Sequence, residues 1–300
     1  MAVYNGSLPQ SQNDRRPANM GHKQLPKQQF GRKIAARLQD ACKRMRQRLA
    51  PRIEWTDKNV LMIMGCQRSG TTLIQDIMQR DRLSKVYGEF SRLSDQDSEF
   101  GIRLNPIDSV RKTIEAERAG LIVLKPLVES QNALKLMDAF ENARVLWMYR
   151  DFRDAAVSNM NMFGPDAGRY DLQQIIDDRP DDWRAEGLSD DIRDTVAKNF
   201  SPDMPPHDAA ALFWFVRNSW LFELNLHTNQ RVMLLSYERL VAQPEICLRE
   251  LYNLLGRKFP GAHILPPIHQ NSTGQGAALE FSEDIERLCT DLLDRISNLT

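Results

Sequence analysis

Residues 60–80 read VLMIMGCQRSGTTLIQDIMQR, and the order of residue types in that stretch decides the fold. Val60 to Met64 is an unbroken apolar run without alternation, the pattern of a strand covered on both faces, as in a parallel sheet. Gly65 and Gly70 bracket Cys66, Gln67, Arg68 and Ser69. Thr71, Thr72 and an amphipathic helix follow, with Leu73, Ile74, Ile77 and Met78 on its apolar side. A glycine turn that opens a helix aims several backbone N–H groups at one spot, and the helix dipole adds positive potential there. The turn is therefore a seat for a phosphate or a similar tetrahedral anion. A bare strand–turn–helix corner is the plainer reading. Packing, however, has no use for a guanidinium, three hydroxyls and free amides in one run.

The glycine spacing is that of a Walker A loop, G-x-x-x-x-G, with one difference. Thr71 stands where a nucleoside triphosphatase carries lysine. The strong cation of the turn is Arg68, which precedes the second glycine. The cradle is kept while the lysine that reaches β- and γ-phosphates is lost, so a ligand with fewer charges than a Mg-triphosphate is expected.

Composition bounds the rest. Three hundred residues with 42% hydrophobic content can bury one large α/β core, or one core with an appendage. The formal net charge is zero but unevenly spread: residues 1–52 hold 12 Lys and Arg against two acids, leaving 28 basic and 38 acidic residues in 53–300. The sequence thus divides into a basic arm, 1–52, and an acidic body, 53–300. Residues 1 to about 30 are too polar to order themselves. Gly31–Leu49 reads as a basic helix with a thin apolar stripe, either docked on the acidic body or lying peripherally on an anionic membrane. Cys42, Cys66, Cys247 and Cys289 have neither paired nor metal-type spacing, and no metal site is expected. Free thiols, no apolar run long enough to span a bilayer and no secretory leader together give the expectation of a cytoplasmic protein.

Further apolar strands are expected at Lys85–Tyr87, Leu121–Leu124, Ala143–Tyr149 and Arg231–Tyr237, alternating with helices, among them Ser130–Asn142, Asp208–Leu226 and Ser282–Leu299. This order implies a central parallel sheet flanked by helices. In such sheets ligands bind at the C-terminal ends of the strands, and the residues there carry chemistry. Glu89 follows the second strand, Lys125 the third, and Arg150 the fourth, with Ser158 eight residues on. A dianionic phosphate favours a planar guanidinium and a hydroxyl, which Arg150 and Ser158 supply. Arg153 could replace Arg150, and either could simply pair with Asp151 or Asp154. Residues 164–207, rich in Gly, Pro and Asp, read as an insertion or lid with short helical pieces. His207 is a spare candidate base.

Arg68-Ser69-Gly70-Thr71-Thr72 after a buried strand resembles the 5′-phosphosulfate loop of sulfotransferases, and Arg150–Ser158 resembles their 3′-phosphate motif. The resemblance covers about residues 55–299. It implies a three-layer P-loop-like fold and transfer of a sulfuryl group from 3′-phosphoadenosine 5′-phosphosulfate (PAPS) to an acceptor hydroxyl or amine by in-line displacement, without a metal. Arg68, Ser69, Gly70, Thr71 and Thr72 would hold the phosphosulfate, and Arg150 and Ser158 the 3′-phosphate. Lys125 would stabilise the bridging oxygen. Tyr237, in a Tyr-Glu-x-Leu stretch similar to the family's, would line the nucleotide site. Ser272, in the Pro- and Gly-rich loop 263–276, would close over it. The cytosolic branch has a histidine base two residues after the lysine. Leu127 stands there in this chain, and Gly88-Glu89 resembles the base segment of tyrosylprotein sulfotransferases, so Glu89 is the expected base. A small molecule, carbohydrate, lipid or tyrosyl peptide remains open as acceptor, and no nucleic acid is expected as partner. The competing readings are a P-loop kinase or NTPase and a non-catalytic nucleotide-binding module.

Overall fold

β1 (Asn59–Gly65), β2 (Ser84–Tyr87), β3 (Leu121–Leu124), β4 (Ala143–Tyr149) and β5 (Val232–Ser236) form one sheet in the order β2-β3-β1-β4-β5, with every neighbouring pair parallel. The computed structural model that shows this describes Lys43, Met45, Leu49 and residues 53–95, 101–179, 182–268 and 272–300. Apart from those first three residues, the basic arm and its expected helix lie outside the described residues. Met1–Arg46 and Gln47–Thr300 are two separate compact units.

The unalternating runs are explained by burial on both faces. Val60, Met62 and Met64 of β1 enter one apolar cluster with Ile122, Leu124, Val145 and Trp147, while Leu61 and Ile63 enter another with Leu121, Val123, Leu146 and Met148. Three helices cover the second face: α1 (Thr71–Arg80), α8 (Tyr237–Ala242) and α9 (Pro244–Leu254). The first face is covered by α2 (Ile107–Glu115), α3 (Ala133–Ala139), α4 (Phe152–Phe163), α5 (Ala167–Ile176), α6 (Asp190–Asn199), α7 (Pro206–Glu223) and α10 (Glu283–Ser297). The layering is helix–sheet–helix, as expected for this α/β pattern. α7 is apolar all round because it runs through the core, buried from Asp208 to Leu221.

One element differs from its sequence reading. The helix expected over Ser130–Asn142 begins as a 3-10 turn, Leu127–Asn132, becomes α-helical only at Ala133 and is capped at Phe140 rather than Asn142. The cause is polar. The buried Arg217 of α7 donates to the Leu127 carbonyl at 2.7 Å and to Gln131 Oε1 at 3.4 Å, and Ser130 Oγ accepts from Gly65 N at 3.3 Å. Those inward bonds hold the chain after Lys125 in the tighter turn. Residues 164–207, read as an insertion or lid with short helical pieces, contain the short helices α5 and α6, and their Leu172, Ile175, Trp183, Ile192 and Val196 enter the same core as α7. Polar composition hid an apolar face spread over two short helices.

Gly65 ends β1 at φ 115°, and a Cβ there would lie 2.2 Å from the Met148 carbonyl oxygen of β4. No alanine fits without separating the two central strands. Gly65→Ala is expected to cost at least ~2 kcal/mol and to lower the thermal midpoint by roughly 4–8 °C, measured by calorimetry.

Candidate active site

A parallel sheet puts all its strand C-termini on one edge, so the turns after β1 to β5 meet there. After β1 the chain turns through Arg68 at φ 66° and Gly70 at φ 84° into α1, the left-handed conformations curling the turn's N–H groups toward one centre. Gly70 is dictated by a neighbour as well: a Cβ there would stand 2.4 Å from Tyr237 Cδ2. The Ser69 hydroxyl is wholly buried and has no hydrogen-bond partner among the described residues. Such a group is costly unless something completes it.

Lys125, only 7% exposed at the end of β3, reaches into the mouth of this turn. Its Nζ lies 2.9 Å from Glu89 Oε2 and donates to Thr72 Oγ1 at 3.0 Å. Its backbone N–H donates to the Tyr87 carbonyl at 3.0 Å, which fixes the ends of β2 and β3 together. Carboxylate, ammonium and loop hydroxyl thus form one line from Glu89 to Thr72.

On the other side, Arg150 leaves β4 as a buried guanidinium. It donates to the Arg68 carbonyl at 3.3 Å and to the Ser272 carbonyl, lies 3.5 Å from Asp154 Oδ2, and stacks 4.6 Å from the Tyr237 ring centre. Trp214 of α7 donates to the Arg150 carbonyl at 3.0 Å and anchors the strand end. The Arg150 Nε has no partner among the described residues. Arg68 Nε donates to Ser158 Oγ of α4 at 3.0 Å. The Arg68 guanidinium is held below its ordinary pKa, first by burial and then by the nearby Arg150 charge. An anion between the two cations would relieve both.

Arg153, the alternative to Arg150, turns away to Glu286 at 2.7 Å and covers the Phe152 ring. His207 bonds the Glu280 carbonyl at 2.9 Å and meets the edge of Phe281. Neither contact reaches the Glu89–Lys125 pair. Tyr237 and Ser272 do join the site, hydroxyl to hydroxyl at 2.5 Å.

The family model described as "Sulfotransferase domain" matches residues 58–275. The chain belongs to the sulfotransferase family. Among solved structures, the sulfotransferase domain of the Synechococcus PCC 7002 olefin synthase is 16% identical, with 81% of this chain and 97% of that chain covered and a TM-score of 0.47. The Alicyclobacillus acidocaldarius sulfotransferase gives 14%, 81%, 94% and 0.45. Mouse sulfotransferase SULT7A1 complexed with PAP gives 11%, 81%, 86% and 0.42. Likenesses this distant decide nothing about substrate. No curated protein matches the chain. As a sulfotransferase, the protein is a transferase enzyme, and the family's donor is PAPS.

The edge suits such a donor: the orphaned Ser69 hydroxyl lies in one anion turn and the orphaned Arg150 Nε in the other. One residue of this candidate site was missed in sequence. Asp154, read only as an ion-pair partner, is buried and accepts from Gly274 N and Gly276 N, both at 2.8 Å, while its second role is to face Arg150. It ties the loop at Ser272 to the guanidinium that the same loop's carbonyl receives. The one available signal was its place one helical turn after Arg150; its loop partners lie 120 and 122 residues away.

Asp154→Asn removes the charge and one of two acceptor oxygens. It is expected to weaken binding of adenosine 3′,5′-bisphosphate about tenfold, since hydrogen bonds to a charged group contribute roughly 1.5–3 kcal/mol. Isothermal titration calorimetry checks this, and unchanged affinity would remove the latch role.

Proposed function

We propose that this sulfotransferase moves the sulfuryl group of PAPS to an acceptor hydroxyl or amine by in-line displacement, with Glu89 as general base. The observation that carries the reading is the Lys125 ammonium, held 2.9 Å from Glu89 and 3.0 Å from Thr72. This line joins a proton acceptor to the anion turn through an ammonium placed to meet a leaving oxygen between them. When bound, PAPS supplies an activated sulfuryl group on a phosphate leaving group.

The residues divide that work. The Glu89 carboxylate takes the acceptor proton. Arg68, the amides of the turn and the hydroxyls of Ser69, Thr71 and Thr72 neutralise the charge that builds on the transferring oxygens. Lys125 stabilises the bridging oxygen. Arg150 and Ser158 hold the 3′-phosphate and set the donor's register, while Tyr237 and Ser272 close the nucleotide pocket. A sulfuryl group carries less charge than a phosphoryl group, so Arg68 and Lys125 can do what Mg²⁺ does in a kinase. The loss of the Walker lysine at Thr71 speaks against a Mg-triphosphate. We read the protein as cytoplasmic and as acting on no nucleic acid. Three described cysteines, Cys66, Cys247 and Cys289, are free and buried, which suits a reducing compartment. Among the described residues no helix is long and apolar enough to cross a membrane. The basic arm is the segment for any peripheral membrane contact.

Adenosine 3′,5′-bisphosphate is expected to raise the thermal midpoint, and ATP with Mg²⁺ to leave it unchanged. The reverse pattern would support a kinase. In steady-state assays Arg68→Ala, Lys125→Ala and Glu89→Gln are each expected to lower kcat by roughly 10²-fold or more. Arg150→Ala is expected to act mainly on the KM for PAPS. Wild-type rates from both Arg68→Ala and Lys125→Ala would count heavily against the assignment.

A further inference from the structure

α7 reaches the functional edge through Trp214 and Arg217. Trp214 Nε1 donates to the Arg150 carbonyl at 3.0 Å. Arg217 donates to the Leu127 carbonyl at 2.7 Å and to Gln131 Oε1 at 3.4 Å. The two side chains are each 1% exposed, and three positions apart on a helix they are neighbours. The carbonyls they hold belong to the segments that leave β4 and β3. Those strands are not partners, because β1 stands between them in the sheet. No ladder hydrogen bond therefore joins the end of β3 to the end of β4, and α7 spans the gap.

Each grip is passed on to a side chain of the site. Leu127 follows Lys125 by two residues, with Pro126 between them at φ −93° and ψ 64°. A proline ring limits its own φ and also restricts the residue before it. With so few free torsions, a fixed Leu127 carbonyl fixes the direction in which the chain leaves Lys125. Ser130 tightens the hold. Its hydroxyl donates to the same carbonyl at 2.8 Å and accepts at 3.3 Å from the N–H of Gly65, where the anion turn begins. On the strand side, Lys125 N donates to the Tyr87 carbonyl at 3.0 Å. Arg150 is held more directly, through its own carbonyl.

A cation at this depth needs a reason. Asn218 and Ser219, beside it, bond within their own helix, to the Trp214 and Phe215 carbonyls, both at 2.9 Å. Arg217 instead crosses to another segment. It is bound there by neutral acceptors and rests 5.0 Å from the Trp183 ring centre. Burying a charge on neutral partners is unfavourable, and an apolar side chain would pack the helix at less cost. Such a side chain could not supply directed N–H bonds to one chosen carbonyl. We propose that Trp214 and Arg217 are paired positioning residues, by which one helix sets Arg150 at the 3′-phosphate end of the donor and Lys125 at its transferring end. The inference rests on the reading of Lys125 and Arg150 above and adds two residues that act through them. Each holds a different strand end, so their losses fall on different phosphates. Trp214 acts on the 3′-phosphate. Arg217 acts on the 5′-phosphate, whose oxygen is the bridging oxygen in PAPS.

Two nucleotides separate the ends: adenosine 3′,5′-bisphosphate and adenosine 5′-monophosphate, titrated calorimetrically into the full-length protein. The ratio of their Kd values reads the 3′-phosphate alone. Trp214→Phe, which keeps a ring and loses the N–H, is expected to shrink that ratio about fivefold, the worth of one hydrogen bond. Its affinity for the monophosphate is expected to stay as in the wild type. Arg217→Met is expected to weaken both nucleotides alike, by about fivefold or more, with the ratio kept. In a Lys125→Ala background the same change is expected to add nothing, since it acts through that lysine. Arg217→Lys, which keeps a donor, is expected to recover part of the loss, and it carries the comparison if Arg217→Met does not melt cooperatively. Three results would overturn the proposal: a ratio untouched by Trp214→Phe, a ratio changed by the Arg217 variant, or a full further loss from that variant without Lys125. If the wild type binds the two nucleotides equally, or Lys125→Ala binds both as the wild type does, the reading of the site itself falls, and this inference with it.

Discussion

Arg68 ties the two halves of the strand edge together. Its carbonyl receives Arg150 and its side chain reaches Ser158, so the turn after β1 and the turn after β4 are fixed to each other by a single residue. The parallel sheet makes this feasible because β1 and β4 are hydrogen-bonded neighbours whose ends lie side by side, Gly65 opposite Met148. Everything assigned to the nucleotide depends on that closeness. With the turns farther apart, two anion seats would serve two ligands.

Fixing two guanidiniums so near each other is unfavourable in itself. The structure offsets it with surrounding acceptors: the Arg68 and Ser272 carbonyls, the buried Asp154 carboxylate and the Tyr237 ring around Arg150. Arg68 keeps the residual strain, its pKa depressed by burial and by its neighbour. Of the seven buried side-chain polar atoms without a partner among the described residues, two, Ser69 Oγ and Arg150 Nε, lie in these same two turns. A site preorganised for negative charge, with its cost met by the surrounding fold, is the usual route to electrostatic catalysis. Below it, Arg217 serves a structural end: burial pushes its guanidinium down to about 10, and its bonds hold the chain just after Lys125.

Much of this was legible in the sequence, for physical reasons. Val60–Met64, Leu121–Leu124 and Ala143–Tyr149 lack alternation because both faces are buried, and a both-faces strand followed by a helix fixes a parallel sheet and its functional edge. Lys125 and Arg150 could be picked because each follows such a run directly, and Arg68 because it is the cation of the glycine turn that follows one. What stayed hidden depends on distant partners. The 3-10 turn at Leu127–Asn132 follows from Arg217, 90 residues on. The loop tie at Asp154 depends on Gly274 and Gly276, 120 and 122 residues on. The packed face of 164–207 is divided between α5 and α6, each too short to show its period against so many Asp and Gly residues.

The claim at the centre is that one nucleotide bridges the two turns. The most direct measurement is a crystal structure with adenosine 3′,5′-bisphosphate. The account predicts the 5′-phosphate against the amides of Ser69–Thr72 and the 3′-phosphate against Arg150 and Ser158, with Arg68 between them. Phosphates in separate clefts, or two nucleotides each filling one turn, would contradict it.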